Sequence, residues 1–348
     1  MQMDFWQLQP ILVLLLAGGL DYLIGDPWDW PHPVRVMGWM IDLLFQSLFR
    51  VLELPVISRL MAFTKKITQL PMETIAPRGA GILLTIILVL STYCLSWSIV
   101  QAARWLHPLF GVAVESILLA SCLAGRSLRD AGESVLQLLT KGDLIQARST
   151  LSQYVGRDTD SLSEPEILRA VLETVTENAT DGVIAPLFYG VVGAFFPIVA
   201  SIPLALTYKA VSTLDSMVGY REAPYTHIGW FSAKLEDVLT WLPTRLSVIT
   251  LAVLSKKPGY VWQICVRDAS ADPSPNSGWS ECAYAATLGV QVGGTNYYRG
   301  VAKYKPLLGD PINPITPDRI KQAMQLTRLS FLIWLFLALI ALSFEILA

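Results

Sequence analysis

Charge is what this sequence has least of. Only 16% of its 348 residues are Asp, Glu, Lys or Arg, where ordinary soluble domains carry about 25%. Apolar residues make up 53% and the mean hydropathy is +0.47. The 26 basic and 28 acidic side chains leave a net charge of -2, so nothing in the balance points to a polyanionic partner. No basic cluster interleaved with aromatics suggests nucleic-acid binding. The four cysteines, Cys94, Cys122, Cys265 and Cys282, form no C-x-x-C pair and no zinc spacing, and free thiols without a redox role are expected. Neither a Walker A sequence nor G-x-G-x-x-G occurs, and no internal repeat is found. With no Gly/Ser-rich or charged linker, residues 1–348 read as a single membrane-embedded domain.

What the chain does have is apolar runs. Ala80–Ala103 offers about 24 residues without a charge, enough for a bilayer core of roughly 30 Å. Leu329–Leu347 is nearly as good, Pro108–Leu123 carries the single charge Glu115, and Leu8–Ile24 is shorter. No Lys or Arg precedes that first run, which argues against a cleaved signal segment. Glu115 is expected either near an interface or in a functional role, because an unpaired carboxylate at mid-bilayer costs about 2.5–3.5 kcal/mol. Val183–Thr207 is interrupted by Pro186, Gly190, Gly193, Pro197 and Pro203, a composition that fits a re-entrant hairpin. Val238–Leu254 is the second irregular stretch. The expected fold is therefore an all-α integral membrane protein, with about four full transmembrane helices, two re-entrant or interfacial segments and helical loops.

Arg35, Arg50, Arg59, Lys65 and Lys66 follow the first run, and by the positive-inside rule segment 25–79 is cytoplasmic. If both irregular stretches enter and leave on one side, segments 125–182, 208–237 and 255–328 share that compartment. All the polar segments then contribute to one site on the cytoplasmic face of the cell (inner) membrane.

Four groups in those segments stand out. Gly25-Asp26-Pro27 is a turn signal, although turn chemistry explains the following His32 and Arg35 less well. Ser163 and Glu166 form a capping box that opens a helix with Ile167, Leu168, Val171, Leu172 and Val175 on one face. Glu173, Glu177 and Asp181 then fall at i, i+4 and i+8 on the other side. That row reads either as a solvated face or as a site for a divalent cation, since like charges at this spacing repel and no Lys or Arg interleaves them. Mg²⁺, which takes one or two carboxylates plus substrate phosphates, suits such a row. In the third group Asp215 is either paired with Arg221 or catalytic, and Arg245 is either a snorkelling anchor or an anion clamp. The fourth, around Ser274-Pro275-Asn276 and Gly293–Tyr297, has loop composition, and loop amides can cradle phosphate.

Together these groups resemble the adenosylcobinamide-phosphate synthase family, membrane-bound enzymes of cobalamin assembly. The resemblance runs from Asp21 to about Tyr298. It rests on Gly25-Asp26-Pro27 with His32-Pro33, Val155-Gly156-Arg157-Asp158-Thr159, Glu173–Asn178 with Asp181-Gly182, Thr213–Met217 with Gly219-Tyr220, and Ser274–Gly278. Ser212, Lys234, Glu236 and Asp272 depart from the family pattern. The resemblance implies an ATP-dependent ligation of adenosylcobyric acid with aminopropanol phosphate or ethanolamine phosphate, with Mg²⁺ as cofactor and the corrinoid as substrate. It implies catalytic roles for Asp26, Asp215 and Glu177 and a metal set of Glu173, Glu177 and Asp181. Substrate and phosphate contacts would come from His32, Arg35, Arg157, Asn178, Lys209, Arg245, Ser274 and Asn276. Partners would be the small-molecule substrates and the lipid bilayer, together with other membrane enzymes of late cobalamin assembly. The competing readings are a transporter, suggested by Glu115 and the broken stretch 183–207, and a Mg²⁺-dependent membrane phosphotransferase.

Overall fold

The structure, a computed structural model, describes residues 5–25, 32–57, 59, 63–64, 71–196 and 200–347. In chain order the helices are α1 (Phe5–Leu23), α2 (Pro33–Glu53), α3 (Met72–Leu106), α4 (Pro108–Ala120), α5 (Gly125–Thr140), α6 (Leu144–Leu151) and α7 (Glu164–Ala179). They continue with α8 (Ala185–Phe195), α9 (Ser201–Val218), α10 (Tyr225–Ile228), α11 (Trp230–Leu254), α12 (Pro258–Asp268) and α13 (Ser277–Leu288). Strands β1 (Val292–Tyr298) and β2 (Val301–Leu308) precede the last helix, α14 (Pro317–Leu347).

Among the described residues four stretches are long and apolar enough to cross a membrane: α3, Pro108–Thr140, α11 and α14. The second is interrupted at 121–124, between α4 and α5. The fold is that of an all-α integral membrane protein. One expectation changes. Val238–Leu254 does not enter and leave as a broken segment but lies inside α11, a continuous helix of 25 residues that keeps Pro243 in its interior. At 1.5 Å per residue it spans roughly 37 Å. The polar residues of Trp230–Asp237 make its apolar run look short although the helix itself is not. Val183–Thr207 is broken as expected, into α8 and α9. Gly193 permits the close return: a Cβ there would stand 2.5 Å from Ser201 Cα. Ser201 Oγ donates to the Gly190 carbonyl at 2.6 Å.

The chain packs as two compact units, one of residues 1–17, 27–122 and 189–239, the other of 18–26, 123–188 and 240–348. The chain changes unit inside α1, α8 and α11, and no linker composition marks a mid-helix crossing.

In the first unit α2, α4, α9 and α10 pack on α3. Gly81 lets α10 rest directly on α3, since a Cβ would lie 1.9 Å from the Ile228 carbonyl oxygen. Glu115, buried in α4, is held by Arg104 from the end of α3, with Nε and Nη2 at 2.7 and 3.0 Å, and accepts from Gln9 Nε2 at 2.6 Å. Its burial is answered by a two-point guanidinium contact, which is a structural use of an apolar-segment carboxylate.

In the second unit α7 is central, contacting α5, α6, α13, α14 and β1. Its capping box forms as the sequence predicts, with the Ser163 amide and hydroxyl donating to Glu166 Oε2 at 2.7 and 2.6 Å. Ile167, Leu168, Val171, Leu172 and Val175 are all buried, and so are Glu173 and Thr176 on the other side. α7 is enclosed, not laid on a surface. The far side is covered by α13 and by the β1–β2 hairpin, where loop was expected for Gly293–Tyr297. That hairpin turns at Arg299-Gly300, both at positive φ (52° and 76°), as a two-residue hairpin loop requires. Asp158 fixes the turn by accepting the Arg299 and Gly300 amides at 2.9 and 2.7 Å.

Candidate functional site

The polar centre of the second unit is built where α7, α13 and the hairpin meet. Glu173 is fully buried. Arg157 Nη1 lies 2.6 Å from its Oε2, Arg169 Nη1 lies 3.3 Å from its Oε1, and the Gly293 amide donates to Oε1 at 2.8 Å. A bulge between Val292 and Gly294, with Gly293 at φ 95°, aims that amide. The two arginines share Asn296 Oδ1, at 3.0 and 3.1 Å, and Arg169 also donates to the Gly293 carbonyl at 2.6 Å. One turn along α7, Glu177 faces Lys305 of β2 and Glu281 of α13. Lys305 Nζ donates to Glu281 Oε1 at 2.5 Å.

Three carboxylates thus meet three cations in a largely enclosed space. Burial raises the Glu177 carboxyl, with Asp272 and Glu173 adding to the rise against Lys305 and Arg157. Glu281 is likewise pushed up by burial and by Glu177 and Glu173. Burial alone would lower Lys305, but Glu281, Glu177 and Glu173 outweigh it and keep the ammonium charged. Glu173 is neutralised by its arginines, so Glu177 and Glu281 are left to share one lysine. Two carboxyls in that position titrate together, and one retains a proton where the other has lost its own.

The sequence-predicted residues divide as follows. Asp26 lies outside the described residues. Arg157, Glu173 and Glu177 come together in the cluster. Both oxygens of Glu173, expected as a metal ligand, face arginines, and among the described residues no group of three or more His, Cys, Asp or Glu is placed to hold a metal. Asp181, the third residue of the row, sits beyond the end of α7 in a π-helical turn, Thr180–Ile184. The repulsion along the row is relieved by Arg157, Arg169 and Lys305, which are distant in sequence or were overlooked. Arg157, expected on phosphate, is committed to Glu173 and Asn296. Asn178 is exposed and returns its amide to the Thr174 carbonyl at 2.9 Å.

Ser274 and Asn276 belong to a tight turn ahead of α13. Asp272 Oδ1 accepts the Ser274 amide at 2.8 Å, and Ser274 Oγ accepts the Asn276 and Ser277 amides at 3.2 and 3.1 Å. These loop amides are satisfied by their own side chains. Arg245 stacks on Trp241 and Trp279, 5.1 and 4.3 Å from the ring centroids. Its guanidinium rests on indole faces and not in the charged cluster.

The first unit holds the others. His32 caps α2, its Nδ1 accepting the Val34 amide at 3.3 Å, and Arg35 is exposed in the first turn. Lys209 and Asp215 lie on α9, where Gly219 is compulsory because a Cβ would meet Asp215 Oδ1 at 1.9 Å. Burial, then Asp237, pushes the Asp215 carboxyl up to about 6.

Arg169, Glu281 and Lys305 were not among the predicted site residues. Arg169 is i-4 to Glu173, a signal that was available. Lys305 gives no local signal, because only strand pairing carries it to α7.

Fold and site define a class: a helical integral membrane protein with a buried, charge-balanced centre beside its spans. Within that class the chain belongs to the CobD/CbiB family of cobalamin biosynthesis proteins, whose model matches residues 14–327. The cobalamin biosynthesis protein CobD of Synechocystis sp. is 48% identical over 333 residues, covering 95% of this chain and 92% of its own. The cobalamin biosynthesis protein CbiB of Salmonella typhimurium is 39% identical over 322 residues, covering 91% and 92%. No solved structure matches.

Proposed function

We propose that the protein is the ligase of its family, joining adenosylcobyric acid to aminopropanol phosphate or ethanolamine phosphate with ATP to give adenosylcobinamide phosphate, at the inner membrane. The observation that carries this reading is the cluster of Glu173, Glu177, Glu281, Arg157, Arg169 and Lys305 in a member of that family. A carboxylate is a poor electrophile. ATP converts it to an acyl phosphate, which the amine attacks with loss of phosphate. That chemistry needs positive charge for phosphorylated groups and a base for the ammonium proton. Arg157, Arg169 and Lys305 suit the first need, and the ionised member of the Glu177 and Glu281 pair suits the second. Asp215, whose carboxyl is raised to about 6, is an alternative base.

The donors fit Mg²⁺ in a limited way. Glu281 Oε2 is buried without a hydrogen-bond partner, and a hard cation of this kind takes one or two carboxylates and completes its sphere with water and phosphate. Glu177 and Glu281 would hold it, with Asp181 the next carboxylate along the chain. When bound, Mg²⁺ neutralises phosphate charge. Protein in detergent, given adenosylcobyric acid, aminopropanol phosphate, ATP and Mg²⁺, is expected to form the amide, detected by mass spectrometry. A phosphorylated product without an amide would select the phosphotransferase instead. The pairing of Glu115 with Arg104 gives a structural use to one of the two features that suggested a transporter.

The pH dependence follows from Asp215. Its carboxylate is the basic form, so kcat/KM is expected to rise with pH through about 6. Asp215→Asn is expected to remove that limb. An unchanged profile in the variant would exclude Asp215 as the base.

A further inference from the structure

A cleft of about 770 Å³ opens in the second unit beside the C-terminal end of α1, the start of α5 and the middle of α14. No residue assigned to the reaction above lines it. One end carries Arg126, Arg129, Lys321 and Arg328 against Asp21, Asp130 and Glu133, an excess of one positive charge. The other end is apolar, formed by Gly18, Phe331 and Leu335.

Arg126 is committed to structure. Its Nη1 donates to the Tyr22 and Leu23 carbonyls at 3.3 and 3.0 Å, closing α1, and its Nε donates to Asp130 at 3.1 Å. Asp21 is committed too, accepting the Arg126 amide at 3.4 Å at the start of α5. Arg129 and Arg328 are differently placed. Both pack against the Tyr22 ring, 5.3 and 4.4 Å from its centroid. Arg129 has only a 3.8 Å approach to Asp130, which Arg126 already holds. Arg328 is exposed and lies over the Tyr22 ring. Two guanidiniums packed against one tyrosine ring gather donors of the kind a phosphate accepts.

α14 changes character at this point. The charged residues of the cleft precede Leu329, and the apolar span follows it. Leu332 lines the cleft and is exposed, as are Leu329 and Phe336 on the same helix. The apolar end therefore continues onto the uncovered face of a membrane-crossing helix. A soluble phosphate would use the cations alone and leave that end unfilled. We infer that the cleft binds an anionic phospholipid, its phosphate held by Arg129 and Arg328 and an acyl chain along Phe331 and Leu335.

The full chain, delipidated in nonionic detergent, can be titrated with phosphatidylglycerol or with phosphatidylcholine of the same chains and read by native mass spectrometry. One phosphatidylglycerol per chain is expected. Phosphatidylcholine, and phosphatidylglycerol on the R129Q/R328Q variant, should bind at least about tenfold more weakly, as the loss of two cations beside an anionic head implies. Gly18→Leu is a second variant that fills the apolar end without touching charge. It should weaken both lipids, and thermal unfolding of each variant reports whether it folds. Undiminished phosphatidylglycerol binding in either folded variant would overturn the inference. So would ready displacement of the lipid by inorganic phosphate, which would assign the cations to a soluble ligand.

Discussion

Glu173→Ala is expected to lower the stability of the protein by about 3–5 kcal/mol, the cost of removing one partner from a buried ion pair. Nothing replaces what is lost. Arg157 and Arg169 would face each other across a space without a carboxylate, and the Gly293 amide would lose its acceptor. Arg157→Ala should cost a similar amount, since Arg157 is only 9% exposed and Glu173 only 1% as side chains. The double variant should be less unstable than the sum of the two, because it leaves no single unpaired charge between these partners. Denaturant unfolding in mild detergent, followed by tryptophan fluorescence, provides the measurement. Single variants within about 0.5 kcal/mol of the parent, the range of ordinary surface changes, would mean that the pair does not hold the core together.

Glu177→Gln should do the reverse: amide formation falls by about a hundredfold or more, the scale of a lost acid-base group, while stability holds or rises. The sign follows from linkage. Burial places the Glu177 carboxyl above its ordinary pKa, so between those two values the folded protein binds more protons than the unfolded chain. Stability then falls as pH rises through that window. An ionised Glu177 is costly at neutral pH, and a neutral amide removes the cost. Steady-state turnover and the unfolding midpoint, measured on one preparation, separate Glu177 from Glu173. A variant that keeps full turnover would remove Glu177 from the chemistry. One that unfolds as Glu173→Ala does would make it a structural residue.

These opposite expectations concern neighbours on one row that looked equivalent in sequence. Spacing at i and i+4 correctly places Glu173 and Glu177 on one side of α7. It does not say what covers that side. An acidic stripe opposite an apolar face normally meets water, and the observation that no Lys or Arg interleaves the row invited a divalent cation. The cations come instead from the loop before α7, from Arg169 on the helix itself and from β2. Arg245 shows the same limit: its position in an apolar helix was legible, whereas its seat on Trp241 and Trp279 depends on α13 packing against that stretch.

The sequence by itself determined what depends on a few adjacent residues or on composition. The membrane class follows from apolar runs set against bilayer thickness. The start of α7 follows from Ser163 and Glu166, and the break near Gly193 from glycine and proline. The motif order from Asp21 to Tyr298 carried the family. Only the tertiary structure decided the partners of buried charge. Glu115 with Arg104 and Gln9, Glu173 with Arg157 and Arg169, and Glu281 with Lys305 are mostly long-range pairings, and the extent of α11 and the division into two interleaved units are likewise outside local reach. The physical reason is that a charge removed from water must find its counter-charge wherever the fold brings one near, and the linear spacing of residues holds no record of that distance.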